Sequence, residues 1–585
     1  MTPKQKLFLT GIILLAVFFR YYQILQMPGG LFPDEAANGL DINLMQAGHI
    51  QPFYERGNGR EALFFYMEWG STALFGKGQW QFHIVSSLIG VLAVLVCFYA
   101  ARRLFLMGED DGDKMAASRA TNIALLASFL QAVSTWAVVI NRTALRANLI
   151  PLIAGLVFYF LLCVYQAKTR KSQLIYALLT GAAFALGFYT YIAFRIMAPL
   201  LFVVLLWPLI GAFRQAQLKV QVKKYFLPAV FFILAFLIVI FPIARYFYQH
   251  PGSFIGRAGQ VSIFNQTLYS VDGAQLTTKP PVAVVASVLV EVFKTQLTGF
   301  FVNGDLNWRQ NISGFAFLSP LYSPFFGAGL LVATWLALRY LWAPVKKQKW
   351  WKYFLLAAWF WFMLLPVIAT AEGIPHGLRG IGDMTPAFII SAWALYEFAC
   401  IIAKLHKKLW QHVLYKYNDP QWVKDSHFVP PRMRIVNFAL KSVVVCFCLA
   451  LILQTYLLYF VYAANSPEYF YSFRADLTPV SEYLRQRCDK QDTYLVLDKY
   501  SLQTTDYLTS DPKGNFSNKC NVPYIQVEPE NSWQLSGLVP GDQIVFTQST
   551  IFDTKKFKQY HPNAHLVEEI RNQFNATVMG VYEIK

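Results

Sequence analysis

An α-helical polytopic membrane protein of about eleven transmembrane helices, with a small extracytoplasmic α/β domain at its C-terminus, is the fold class that this sequence predicts. Three observations carry the prediction. Of 585 residues, 56% are apolar and only 14% charged, against about 45–50% and 25% in soluble proteins. The apolar residues fall in runs of bilayer-spanning length, about 20 residues each. Past residue 465 the runs stop and the composition becomes that of a soluble domain.

The runs lie at 7–26, 82–106, 120–140, 148–167, 173–194, 196–213, 225–245, 321–343, 351–371, 382–404 and 435–463. Lys4 and Lys6 precede the first, and no small-residue cleavage site follows it. It therefore reads as a retained anchor with a cytoplasmic N-terminus. Charge supports the alternation. The segments placed inside carry Arg102, Arg103, Lys114 and Arg119, then Lys168, Arg170 and Lys171, then Arg214, Lys219, Lys223 and Lys224. Lys346, Lys347, Lys349 and Lys352 and the basic stretch 404–441 complete the set, as the positive-inside rule requires. The predicted location is a cell membrane.

Residues 1–465 thus form a transmembrane domain with long external loops at 27–81 and 246–320, and 466–585 a soluble domain. The tail has twelve basic and fifteen acidic residues, a net −3, and the rest of the chain holds +21. Most of the overall +18 is therefore topology, and nucleic acid is not an expected partner. In the tail, β-rich runs at 493–497, 522–527, 543–547 and 577–584 alternate with helical stretches at 501–508 and 565–574.

Five cysteines sit inside apolar runs; Cys488 and Cys520 fall in polar sequence, where an oxidising compartment would allow them to pair. Glu109 to Asp113 contains Asp-x-Asp but lies in a short hairpin and reads as a solvated charge run. No glycine-rich phosphate loop is present, which excludes a nucleotide site of the usual kinds. His83, His250 and His376 show no metal-ligand spacing, so a divalent metal stays open with nothing in the sequence calling for one.

The candidate site begins directly after the first run. In Pro33-Asp34-Glu35-Ala36, adjacent carboxylates next to hydrocarbon are costly, and one of them can serve as a general base on a hydroxyl. The same pair also reads as the acidic first turn of a helix behind Pro33. Further on, Tyr54, Arg60 and Glu61 lie in a Gly- and aromatic-rich stretch suited to a sugar pocket or to an interfacial belt. A second signal is the basic residues outside, against the topological bias. Arg142 and Arg146 are spaced to share one helical face. Arg195, Arg245, Arg257, Arg309, His376 and Arg379 also lie at external helix ends. Arginine suits forked recognition of phosphate oxygens, and each alone is also explained by snorkelling to headgroups.

Taken in order, Pro33-Asp34-Glu35-Ala36, Gly59-Arg60-Glu61-Ala62-Leu63, Tyr189-Thr190-Tyr191, Gly304-Asp305, Asn311 and Pro375-His376-Gly377-Leu378-Arg379 resemble motifs of the membrane-embedded type C glycosyltransferases. The branch is that of bacterial relatives of protein O-mannosyltransferases and of the aminoarabinose transferase that modifies lipid A. The resemblance spans roughly residues 1–460. It implies inverting transfer of a sugar from a polyprenyl-phosphate donor to a hydroxyl of a lipid, glycan or protein acceptor on the external face. It further implies Asp34 as catalytic base with Glu35 beside it, and Arg142, Arg146, Arg195, His376 and Arg379 at the donor phosphate. Tyr54, Arg60, Glu61, Tyr189, Tyr191, Arg257 and Asp305 would line the substrate pocket. Glu61-Ala62-Leu63 stands where relatives often carry Pro-Pro-Leu. The competing expectations are a flippase or transporter of lipid-linked glycans, for which Glu397 is the clearest interior acid, and a glycan polymerase or oligosaccharide transferase.

Overall fold

The computed structural model describes residues 1–585 apart from 111, 215–217, 261, 265, 270–274, 279, 341–349, 371–372, 417–430, 487–491 and 511–523. Cys488 and Cys520 lie outside the described residues.

The fold class is the expected one, a helical membrane bundle with a C-terminal sheet domain, but the span count is lower. Among the described residues, six helices are long and apolar enough to cross a membrane: Trp80–Phe105, Arg146–Gln166, Leu218–Gln249, Trp351–Ile368, Ile381–His406 and Phe438–Asn465. A seventh span forms if Lys114–Ala132 and Thr135–Arg142, bent by 58°, are taken together. The bend has a local cause: the Ser134 hydroxyl accepts from Ala137 N–H and starts a new helix where the apolar run gives no sign of a break. The remaining runs are helical but fall short. Ser323–Arg339 has 17 residues. Arg170–Gly187 opens on two basic residues, and Pro3–Tyr21 carries Lys4, Lys6 and Arg20.

Helix Trp80–Phe105 runs about 39 Å through the bundle and packs on Lys114–Ala132 and Leu149–Gln166. Large rings fill the core, with Phe158 stacked on Trp359 at 4.1 Å. At the end of the bundle that holds the basic loops, Lys352 Nζ lies 3.0 Å from Glu109, both largely buried. Arg119 pairs there with Glu397. The expected solvated run is thus corrected at one position. Glu109 is a largely buried ion-pair partner, while Asp113, exposed as expected, caps Lys114–Ala132 by accepting from Met115 and Ala116 N–H. Glu397, expected as an interior acid, is about one-third exposed and neutralised by Arg119.

At the other end sits the tail. Its five-stranded sheet has the order β3-β2-β4-β6-β5, with β2 Thr493–Val496, β3 Ile525–Val527, β4 Gln543–Thr547, β5 Ala564–Arg571 and β6 Thr577–Ile584, counting the hairpin Phe53–Tyr54/Arg60–Glu61 of the first loop as β1. Strands β3, β2 and β4 are parallel; β4, β6 and β5 are antiparallel. The expected helix at 565–574 is corrected to β5. Its charged residues suit an exposed edge strand, where they discourage pairing with other chains, and its spacing imitates a helix only in isolation. The expected helix at 501–508 is present as Lys499–Thr509.

That helix docks on Pro33–Gln46 of the first long loop. Thr504 donates to Leu31 O at 3.0 Å, Asn43 to Ser510 at 3.2 Å, and Lys77 to Ser510 at 2.7 Å. Tyr507 stacks on Phe82 and fits over Gly39, where an added Cβ would lie 2.3 Å from its ring. Gly39→Ala is therefore expected to displace Tyr507 at a cost of about 1–3 kcal/mol. Faster proteolytic release of the tail from the variant than from the wild type is the result to look for.

Candidate functional site

The helix Pro33–Gln46 builds the site. Proline at its first position sets the backbone without losing a needed N–H, and Asp34 and Glu35 complement the positive end of the helix. The pair does form the acidic first turn of a helix, and the structure separates the two residues. Glu35 is fully buried. Its Oε2 accepts from Phe32 N–H at 2.9 Å and its Oε1 from Ala144 N–H at 2.6 Å, with His83 Nε2 3.4 Å away. It closes its own helix and ties that helix to the segment after Thr135–Arg142, so its place is structural. Asp34 is exposed, and its Oδ1 accepts from the Tyr500 hydroxyl of the tail at 3.0 Å.

Three arginines meet this helix differently. Arg60, buried, donates to Asp34 O, Asn38, Asp41 and Arg56 O. Asp41 takes Arg60 at 2.7 Å and Arg56 at 2.9 Å, and burial pushes its carboxyl up against the pull of both cations. Arg309 stacks on the Phe32 ring, 3.3 Å from its centroid, within electrostatic reach of Asp34. Among the described residues its guanidinium has no hydrogen-bond or ion-pair partner. The sequence marks Arg309 as an external arginine without placing it at the site; Asp41 and Tyr500 carry no sequence signal at all.

The expected donor arginines divide. Arg142 and Arg146 do not share a helical face, because Thr143 and Leu145 are extended between them. Arg142 is fully buried and donates to Phe19 O, Arg20 O, Tyr22 O, Met27 O and the Tyr459 hydroxyl. It clamps the end of the first helix and has no reach left for a phosphate. Arg146 lies 3.1 Å from Glu61 and over Tyr191, and Arg195 lies 3.7 Å from the other oxygen of Glu61. Glu61 is thus a bridge between two arginines. Tyr189 donates to Val239 O and bonds the helix Leu218–Gln249. Tyr54 lines a polar cavity of about 480 Å³ with Asp41, His49, Glu55, Arg56 and His250. Arg257 lies on the helix Pro251–Gln260, and its side chain is outside the described residues.

On the loops at 299–320 and 373–383, Asp305 accepts from Asn307 and Gly377 N–H, each at 2.8 Å, and His376 Nδ1 accepts from Arg379 N–H at 3.3 Å. Burial pushes the Asp305 carboxyl up to about 6, while burial with Arg379 and Arg309 nearby pushes His376 down to about 3. His376 is therefore neutral and braces its loop; the positive charge here belongs to Arg309 and Arg379. Between about pH 4 and 6 the folded protein keeps a proton on Asp305 that the unfolded chain releases, so that contribution falls as pH rises. In the same window the unfolded chain protonates His376 and the folded protein does not, so that contribution rises. The two offset. Asp305→Asn removes only the first, so the variant's stability relative to the wild type is expected to climb by about 1 kcal/mol per pH unit over that window. A pH series of thermal midpoints in detergent measures it.

A divalent metal does not fit at Asp34. Its carboxylate faces Arg309, Arg60 and Tyr500, Glu35 points into the core, and among the described residues no three His, Cys, Asp or Glu side chains converge.

No family model matches the sequence, and no curated protein is significantly similar to it. Solved structures do match. ArnT from Cupriavidus metallidurans bound to undecaprenyl phosphate has a TM-score of 0.54 at 13% identity, over 98% of this chain and 97% of that one. The same protein in the apo state matches with a TM-score of 0.50 at 12% identity and the same coverage. The Archaeoglobus fulgidus oligosaccharyltransferase tethered with an acceptor peptide also has a TM-score of 0.50 at 12% identity, over 98% of this chain and 74% of that one. At such identities the likeness establishes the fold, and this chain is a multi-pass membrane protein with the fold of the type C glycosyltransferases that its sequence resembles.

Proposed function

We propose that the chain transfers a sugar from a polyprenyl-phosphate donor to a hydroxyl of a lipid, glycan or protein acceptor, inverting the sugar carbon, with Asp34 as base. The observation that carries this reading is the exposed Asp34 carboxylate on a helix whose other carboxylates, Glu35 and Asp41, are held in buried bonds, beside an arginine without a carboxylate partner among the described residues.

In the step, the acceptor oxygen attacks the anomeric carbon while its proton passes to Asp34. The bond from that carbon to the phosphate oxygen breaks, and its electron pair leaves with the lipid phosphate. The phosphate gains charge as it leaves, which favours cations fixed beside it. Arg309, with Arg379 across Asp305, supplies that charge, and Arg146 and Arg195, held by Glu61, form the wall behind. Arg142 is replaced in this role by Arg309. A cavity of about 420 Å³ lined by Val133, Phe301, Phe315, Leu451 and Leu458 adjoins the loop that carries Arg309 and suits an isoprenoid chain. One of the similar structures holds undecaprenyl phosphate and another an acceptor peptide, which supports these substrate classes. The basic loop ends then face the cytoplasm, with the tail outside a cell membrane.

The test is mass spectrometry of products formed by purified protein given undecaprenyl-phosphate-linked sugars and candidate acceptors. A new glycosidic bond supports the reading; movement of the lipid-linked sugar across liposomes without one overturns it.

A further inference from the structure

One side chain of the tail touches the proposed base. We propose that Tyr500, carried by the C-terminal domain, is a positioning residue for Asp34, so that the tail is part of the catalytic unit. This rests on Asp34 being the base.

The contact is built from several directions. Asp498 caps the helix Lys499–Thr509 by accepting from Ser501 N–H at 2.8 Å, which fixes the turn that bears Tyr500. Thr504, Ser510 and Tyr507 anchor the same helix on Leu31, on Asn43 and Lys77, and on Phe82. The Tyr500 ring then stands edge-on to Phe32 at 5.8 Å, and its hydroxyl reaches Asp34 Oδ1 at 3.0 Å. Among the described residues Oδ2 has no partner, so it is the oxygen left to take a proton. Arg60 and Arg309 are the charged groups closest to this pair, one donating to the Asp34 backbone and one stacked on Phe32.

An exposed aspartate at the start of a helix has rotamer freedom. A single phenol donor removes it and holds the carboxylate in one orientation. Because Tyr500 is itself 48% exposed, the bond adds little to stability, and losing it is felt mainly in the rate.

The experiment uses the full-length protein and undecaprenyl-phosphate-linked sugars. Tyr500→Phe keeps the ring on Phe32 and removes only the hydroxyl. A kcat about tenfold lower, with both KM values and the thermal midpoint unchanged, is the expected result, and the substitution should cost nothing further in an Asp34→Asn background. An unchanged kcat, an equal loss in that background, or a raised kcat/KM would overturn the proposal, the last by showing that Tyr500 blocks the acceptor. Full activity in Asp34→Asn alone would instead remove the base assignment, an outcome read from a different variant.

Discussion

Asp34→Asn is expected to lower sugar transfer by about 10²–10⁴-fold, the usual contribution of a positioned general base, while the protein stays folded. The amide is nearly isosteric, its oxygen still accepts from Tyr500, and the side chain is exposed. Only its basicity is lost. The loss of one negative charge at a helix N-terminus costs about 0.3–1 kcal/mol, too little to unfold a bundle of this size. Initial rates beside thermal midpoints make the measurement, and undiminished transfer would remove Asp34 from the mechanism.

Arg142→Ala is expected to act in the opposite manner, through folding. The guanidinium satisfies four backbone carbonyls and one phenol in a region without exposure. Each acceptor left dry and unpaired costs about 1–3 kcal/mol, so the variant should lose about 3 kcal/mol or more. The loss would appear as a lowered thermal midpoint and a reduced yield of folded protein. The donor KM of whatever folds should match the wild type. A stable variant with weakened donor binding would return Arg142 to the phosphate site.

These two side chains show what local sequence could and could not say. An acidic pair behind Pro33 and basic residues among the loops read as external are both costly, and that cost singled out both regions. It did not distinguish a side chain left exposed from one tied into the architecture. Asp34 and Glu35 are neighbours in the chain, yet one faces the tail and the other bonds Ala144, 109 residues away. Arg142 and Arg146 looked like a pair because their spacing fits a helix, and the extended residues between them send one to the first helix and the other to Glu61.

The same distinction runs through the fold. Composition, charge and local patterning already indicated the class, the separate tail and four of its five strands, because hydrophobic runs, loop charge and alternation are properties of neighbouring residues. The chain also announced a helix at Pro33, since proline and acidic residues act within one turn. The pairing of Glu109 with Lys352 and the reach of Tyr500 to Asp34 were decided only in the tertiary structure. Each depends on a partner far away in the chain, and such a partner determines which charges are neutralised and how an exposed carboxylate is held.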